Sequence, residues 1–276
     1  MEFNYFDIKK TSHLINEFYH LSYPDEVVPL ESIILPLTFS GIAYIYTDGQ
    51  KVIIDKDEIV IKNLIIYGQF NRSFKFSLTE KGFACGISFK ATTLHKLTNL
   101  DVSKLTNKYL PFNSIDKDLS KKFEEIFINH KDDFENVLEN LENFLLELPL
   151  IENKNTIAID NVINIIQSKE GMISVTDLLE DLPFGQKTLE TQFKKMVGLT
   201  PAKYIRIHRF KKLMRAYESK EIDLKDLIYM YDYYDESHFA KDFKSFTSKS
   251  FKDYFKEEFS VIKGILKNSN YDYLQD

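Results

Sequence analysis

From Ser32 to Lys90 the chain runs in short β-branched and aromatic segments separated by turn residues, a pattern that predicts strands rather than helices. "GIAYIYTDGQKVIID", Gly41 to Asp55, reads as a hairpin about Asp48-Gly49, a dipeptide suited to a tight turn. "SFKFSLTEKGFACGISF" reads as a second hairpin: Phe74, Phe76 and Leu78 alternate with polar residues, and Glu80-Lys81-Gly82 turns the chain into Phe83 to Phe89. A compact antiparallel sheet or barrel is the expected result. Past Asp116 the period becomes helical, with Leu119, Phe123, Ile126 and Phe127, then Phe134, Val137, Leu138, Leu141, Phe144, Leu145 and Leu148, and Pro149 ends the run. Two amphipathic helices covering the sheet are predicted. The stripe of the second, holding for about three turns, also suits pairing with its copy in a dimer.

The polar stretch "IENKNT", Ile151 to Thr156, is the expected linker, and the remainder to about Phe259 reads as helices. Their caps are legible: Ser174 with Asp177 in capping-box position, Thr200 before Pro201, Asp223 before "LKDLIYMY", and Ser250 before "FKDYF". The tail from Ser260, rich in Asn, Ser and Tyr, is expected to fray. Two helix-turn-helix units follow from this pattern. In the first, a helix over Val175 to Leu182 turns at Pro183-Phe184-Gly185 into a second from about Gln186 to Val197, with Leu178, Leu182, Leu189 and Phe193 as shared core. In the second, a helix over Leu224 to Tyr231 turns at Asp232 to Tyr234. Asp235 then caps a helix whose Phe239, Phe243 and Phe246 face inward. "PAKYIRIHRFKKLMRAY" joins the two as a long helix.

The expected fold class is therefore α+β: a β-rich N-terminal sheet or barrel domain with covering helices, residues 1–150, and an all-α C-terminal domain, residues 151–276. At 276 residues two domains are the better expectation. Net charge is −6, which argues against a protein that coats nucleic acid through bulk charge. The charge is unevenly placed. Asn155 to Phe259 holds 17 basic and 17 acidic residues, and Lys194 to Arg215 holds eight Lys or Arg with no Asp or Glu. A neutral domain with a positive stripe suits DNA binding. Cys85 is the only cysteine, which fits a reducing cytoplasm. No secretory signal and no run of about 18 apolar residues appears, so an unprocessed cytoplasmic protein without membrane partners is expected.

The C-terminal hundred residues resemble the DNA-binding domain of the AraC/XylS family of bacterial transcription regulators. The resemblance rests on "TLETQFKKMVGLTPAKYIRIHRF" and "YYDESHFAKDFKSFTSKSFKDY", the latter holding the pattern aromatic-x-Asp-x-Ser-His-Phe-x-x-x-Phe-Lys. Four positions depart from it. Asp232 and Ser248 stand where the family tends to have glycine, Phe251 where it has proline, and Thr191 where arginine is common. "IIYGQFNRSFKFSLTEKGFACGISFKATTLHKLTNLDVSKLTNKYLPFNSI" resembles the β-rich N-terminal domain of some such regulators, which implies effector binding, dimerisation or both.

The resemblance implies helices near 186–197 and 236–247 entering successive major-groove segments of double-stranded DNA, about one turn apart. The residues predicted to face the base edges are Gln186, Lys187, Glu190, Thr191, Glu236, Ser237, Ala240 and Lys241. Lysine donates to guanine, glutamate accepts from cytosine, and Thr191 or Ala240 meets a thymine methyl. Lys194, Lys195, Arg206, Arg209 and Lys244 are the expected phosphate contacts. A second copy of the chain, RNA polymerase and a small-molecule effector are the further candidate partners, and the resemblance favours activation over repression. A ligand-independent regulator is the alternative. A third reading uses Cys85 as the reactive thiol of a DNA-alkylation response protein, although "FACGISF" offers it no neighbouring cation. His13, His20, His95, His130 and His208 lack a metal-ligand spacing, and His238 with Asp235 reads as a helix start. No phosphate-binding glycine loop or nucleophile elbow appears, so no catalytic residue, metal or cofactor is expected.

Overall fold

The computed structural model describes residues 1–180, 182–218 and 222–254. The expected frayed tail from Ser260 lies outside them. Among the described residues are ten strands: β1 Glu2–Phe6, β2 Ile15–Tyr23, β3 Leu30–Ile34, β4 Gly41–Ile45, β5 Gln50–Ile54, β6 Asp57–Val60, β7 Asn63–Tyr67, β8 Phe74–Leu78, β9 Gly82–Phe89 and β10 Tyr109–Pro111. The helices are α1 Thr93–Thr98, α2 Lys117–Asn129, α3 Phe134–Glu147, α4 Lys154–Ser168, α5 Val175–Leu178, α6 Gln186–Val197, α7 Pro201–Glu218, α8 Leu224–Met230, α9 Glu236–Thr247 and α10 Phe251–Tyr254.

The strands form two antiparallel sheets, one of six in the order β1-β2-β9-β4-β7-β10 and one of four in the order β3-β8-β5-β6. The six-stranded sheet is covered on both faces, so its central strands β4 and β7 are apolar on both sides rather than alternately. Along β4, Ile42 and Tyr44 join α2 and α3 in one core, while Ala43 and Ile45 face the second sheet. Leu64 and Ile66 against Ile65 and Tyr67 repeat the division along β7.

Neither expected hairpin forms. β4 bonds β7 and β9 in one sheet, β5 bonds β6 and β8 in the other, and β8 and β9 are likewise divided between sheets. Asp48-Gly49 is a corner between sheets, held there because the Gly49 carbonyl accepts the Thr79 N–H at 2.8 Å. A turn dipeptide reverses the chain but does not choose the strand that will pair, which side-chain burial decides. The tight connection within the four-stranded sheet is instead at Asp55, which takes φ 58° between β5 and β6.

α2 and α3 form as expected, and the α3 stripe of Val137, Leu138, Leu141 and Leu145 is spent on the N-terminal core. The expected linker is largely a helix start. Asn153 caps α4 in a reciprocal box with Thr156, its N–H reaching Thr156 Oγ1 at 2.8 Å. α5 stops at Leu178, short of the predicted Leu182, in keeping with Pro183 disfavouring helical backbone just before it.

The C-terminal core is built around α7, whose Tyr204, Ile207, Phe210, Leu213 and Met214 are all buried. It also takes in Ile33 of β3 and Ala91 from the N-terminal half. The two halves are further joined where Lys96 Nζ meets Asp160 at 2.6 Å and Glu152 at 3.2 Å.

His208 on α7 is buried, and desolvation, with Lys211 and Lys212 adding repulsion, pushes its imidazole down to about 3. The native state therefore holds His208 neutral where the unfolded chain, titrating near 6.5, would charge it. This contribution to stability is complete above about pH 6.5 and is lost as pH falls toward 3, at up to about 1.4 kcal/mol per pH unit. Urea unfolding at pH 7 and pH 5 is expected to show a larger loss for the native sequence than for His208→Gln.

Candidate nucleic-acid interface

Each helix-turn-helix unit presents its second helix in the same way. α6 begins after Gly185 and buries Leu189, Phe193, Met196 and Val197. The helical period then leaves Gln186, Lys187, Glu190, Thr191, Lys194 and Lys195 exposed on the opposite side. α9 is started by Asp235, whose carboxylate accepts the His238 N–H at 2.6 Å, and buries Phe239, Phe243 and Phe246. Glu236, Ser237, Ala240, Lys241 and Lys244 are exposed. All eight residues predicted to face bases therefore stand on the outer rows of the two helices. His238 packs edge-on against Tyr233, with ring centroids 5.2 Å apart.

Three of these side chains have partners within α6. The Gln186 amide donates to Glu190 Oε1 at 2.9 Å, and the Thr191 hydroxyl donates to the Lys187 carbonyl at 2.8 Å. A base edge must displace the first contact, whereas the Thr191 methyl stays available for an apolar one.

The phosphate contacts divide. Lys194, Lys195 and Lys244 lie in the last turns of α6 and α9, where cations complement the helix dipole. Arg209 does not face outward as expected, and Arg206, its side chain 43% exposed, is engaged by a neighbouring carboxylate. The Arg206 guanidinium grips Asp242, which has no exposed surface: Nε lies 3.3 Å from Oδ2, and a second nitrogen meets Oδ1. Arg209 is buried, with its guanidinium 4.5 Å from the Tyr233 ring centroid and its Nη1 donating to the Asp232 carbonyl at 3.4 Å. Other cations of the α7 stripe are engaged as well. Lys203 lies over the Phe246 ring, Lys212 is buried 3.6 Å from Glu170, and burial pushes Lys211 down to about 7. A run of basic residues on a helix packed on most sides becomes internal scaffolding rather than a solvated face.

Asp242 is the residue that outward-face reasoning passes over. Its signal is its spacing: it falls between Phe239 and Phe243 on the buried face, where a carboxylate needs a partner. The Tyr233 hydroxyl, 3.3 Å from Oδ2, completes that partnership. The departures from the AraC/XylS pattern also acquire a geometry. Asp232 and Ser248 have φ of 57° and 62°, the left-handed conformation that glycine adopts most readily. Phe251 packs its ring against Phe243 and Tyr217.

The Cys85 thiol is buried in the N-terminal core, and desolvation pushes it up to about 12. It is a protonated core residue 3.6 Å from the Tyr46 hydroxyl, which gives no support to a reactive thiol. Among the described residues no group of three or more His, Cys, Asp or Glu could hold a metal ion, and no helix is long and apolar enough to cross a membrane.

Residues 178–257 match the helix-turn-helix domain family, and residues 9–111 match a domain family of unknown function, DUF6597. Crystal structures of ToxT from Vibrio cholerae are similar to this chain. One is 16% identical, covering 93% of this chain and 98% of that one with a TM-score of 0.46. Another, with an unsaturated fatty acid bound, is 12% identical, covering 87% and 93% with a TM-score of 0.45. No curated protein matches the chain in sequence.

The buried carboxylate makes the Arg206–Asp242 pair asymmetric. Arg206→Ala strands a desolvated charge and is expected to cost about 3 kcal/mol, the low end for a broken buried pair because Tyr233 remains. Asp242→Asn leaves an arginine that can reach water and is expected to cost about 1 kcal/mol. Chemical denaturation of the two variants checks the order.

Proposed function

We propose that the chain is a DNA-binding regulator of transcription that reads two successive major-groove segments with α6 and α9, a reading supported by the helix-turn-helix domain matched over residues 178–257. The observation that carries this reading is the matched presentation of the two helices. Each buries an apolar face on the α7 scaffold and leaves a polar outer row with a cationic last turn. Gln186, Lys187, Glu190 and Thr191 on one helix, and Glu236, Ser237, Ala240 and Lys241 on the other, are the base-reading set. Lys194, Lys195 and Lys244 are the phosphate set, and Arg206 and Arg209 act by holding the helices in place. A second copy of the chain and RNA polymerase belong to the same proposal, supported by the family resemblance, as does a functional division of the chain near residue 150.

Control by a small molecule is supported by a hollow of about 120 Å³ between the two sheets, walled by Tyr19, Phe39, Tyr67, Phe74, Phe76 and Tyr109 among others. Among the described residues no acidic or basic side chain lines it. Such a space suits a neutral ligand of roughly benzene size, because a carboxylate would enter without a compensating charge.

Selection of bound fragments from random DNA is expected to yield two short boxes about one helical turn apart. On that site Lys187→Ala and Lys241→Ala should each cost about 1–3 kcal/mol and relax preference within one box. Lys194→Ala and Lys244→Ala should instead weaken all sequences alike, each lowering the slope of log affinity against log salt by about 1. For the hollow, p-cresol is expected to raise the thermal midpoint and benzoate to leave it unchanged, and Ala84→Leu, which narrows the space, should remove the p-cresol effect.

A further inference from the structure

α6 and α9 end alike. Gly198 follows α6 with φ 95° and Ser248 follows α9 with φ 62°, and their N–H groups donate to the Lys194 and Lys244 carbonyls, both at 2.9 Å. At these two ends, on the turns farthest from the base-reading residues at the helix starts, the N-terminal domain takes hold. The Thr106 hydroxyl donates to the Gly198 carbonyl at 2.6 Å. The Ser73 N–H donates to the Phe246 carbonyl at 2.7 Å, and its hydroxyl lies 3.4 Å from that of Ser248. Gly198 also lies so close to Val102 that an added Cβ would come within 3.3 Å of it.

The two gripping loops are stitched into one piece. The Asn71 N–H donates to Asn107 Oδ1 at 2.9 Å, Asn107 Nδ2 donates back to Asn71 Oδ1 at 3.1 Å, and the Asn107 N–H donates to the Gln69 carbonyl at 2.9 Å. Gly68 lets the loops meet, since a Cβ there would stand 2.3 Å from the Leu105 carbonyl oxygen. The stitched pair is anchored in the domain by Phe70, fully buried and packed on Phe74 and Tyr109 at centroid distances of 4.4 and 5.1 Å. A short path therefore runs from the end of α6 through Thr106, Asn107, Asn71 and Ser73 to the end of α9.

From this geometry we infer that the N-terminal domain is a spacing ruler: the bracket of Thr106, Asn107, Asn71 and Ser73 sets the separation of the two helices and makes it a determinant of which operators are bound. The inference rests on the two-helix reading proposed above. α7 ties the helices within their own domain through Asp242 and the aromatic core, and the bracket ties their far ends. With both ties in place the pair moves as a unit. Lengthening a DNA spacer by one base pair displaces the second box along the axis and rotates it by about a tenth of a turn. A rigid pair meets only one spacing, whereas a pair held by α7 alone can follow the change.

The experiment uses the full chain and its selected bipartite site, with the spacer shortened and lengthened by one base pair. Two variants open the bracket with little change to the backbone. Asn107→Gly removes the stitch while keeping a residue at ease at φ 57°, and Thr106→Val removes one hydroxyl and carries the test if the first variant fails to fold. The native chain is expected to lose about tenfold or more in affinity at the altered spacings. Each variant is expected to hold the original site within about threefold and to lose most of the spacing penalty. A spacing penalty equal to the native one in both variants overturns the ruler. So does a uniform gain in affinity at every spacing, which would make the bracket a brake on binding. Failure of the native chain to select any bipartite site overturns the two-helix reading itself and is visible before either variant is made.

Discussion

A carboxylate with no exposed surface holds the C-terminal half in register. Asp242 on α9 receives the Arg206 guanidinium from α7 and lies within hydrogen-bonding distance of the Tyr233 hydroxyl, and Arg209 covers the Tyr233 ring. A buried charge tolerates few arrangements, because any other leaves it without its partners in a medium that solvates it poorly. The angle between α7 and α9 is thus specified by chemistry as well as by packing. The same contact engages one cation of the most basic stretch of the chain.

The N-terminal half obeys a different constraint. Its six-stranded sheet is covered by helices on one face and by a second sheet on the other, so the central strands must be apolar on both sides. That accounts for runs such as "LIIY" and for Cys85 lying inert among them. It also explains why turn dipeptides misdirect. Asp48-Gly49 and Glu80-Lys81-Gly82 reverse the chain at the rim, and the strands they join continue in separate sheets, where each finds its own buried neighbours.

The legibility of the candidate site follows the range of the interactions. The outer rows of α6 and α9 could be read from sequence because Leu189 and Phe193, or Phe239, Phe243 and Phe246, mark the inner face, and a helix's period places the rest. Asp242 was legible by the same period. Arg206 and Arg209 were not, since which sides of α7 are covered depends on four other helices and on the N-terminal domain. Thr106, Asn107 and Ser73 carry no local signal at all: their partners lie far along the chain, and an asparagine or a threonine in a loop has many uses.

Hydrophobic periodicity and caps, properties of a few consecutive residues, determined by themselves the change from strands to helices, both helix-turn-helix units and the exposed rows of α6 and α9. Local backbone preference and side-chain direction suffice for that. Tertiary structure alone decided which strands pair, which cations stay in water, and that the N-terminal domain contacts the ends of α6 and α9. Those outcomes depend on burial and on contacts between residues distant in sequence, where the cost of leaving a charge or a backbone group unpartnered is set by everything packed around it.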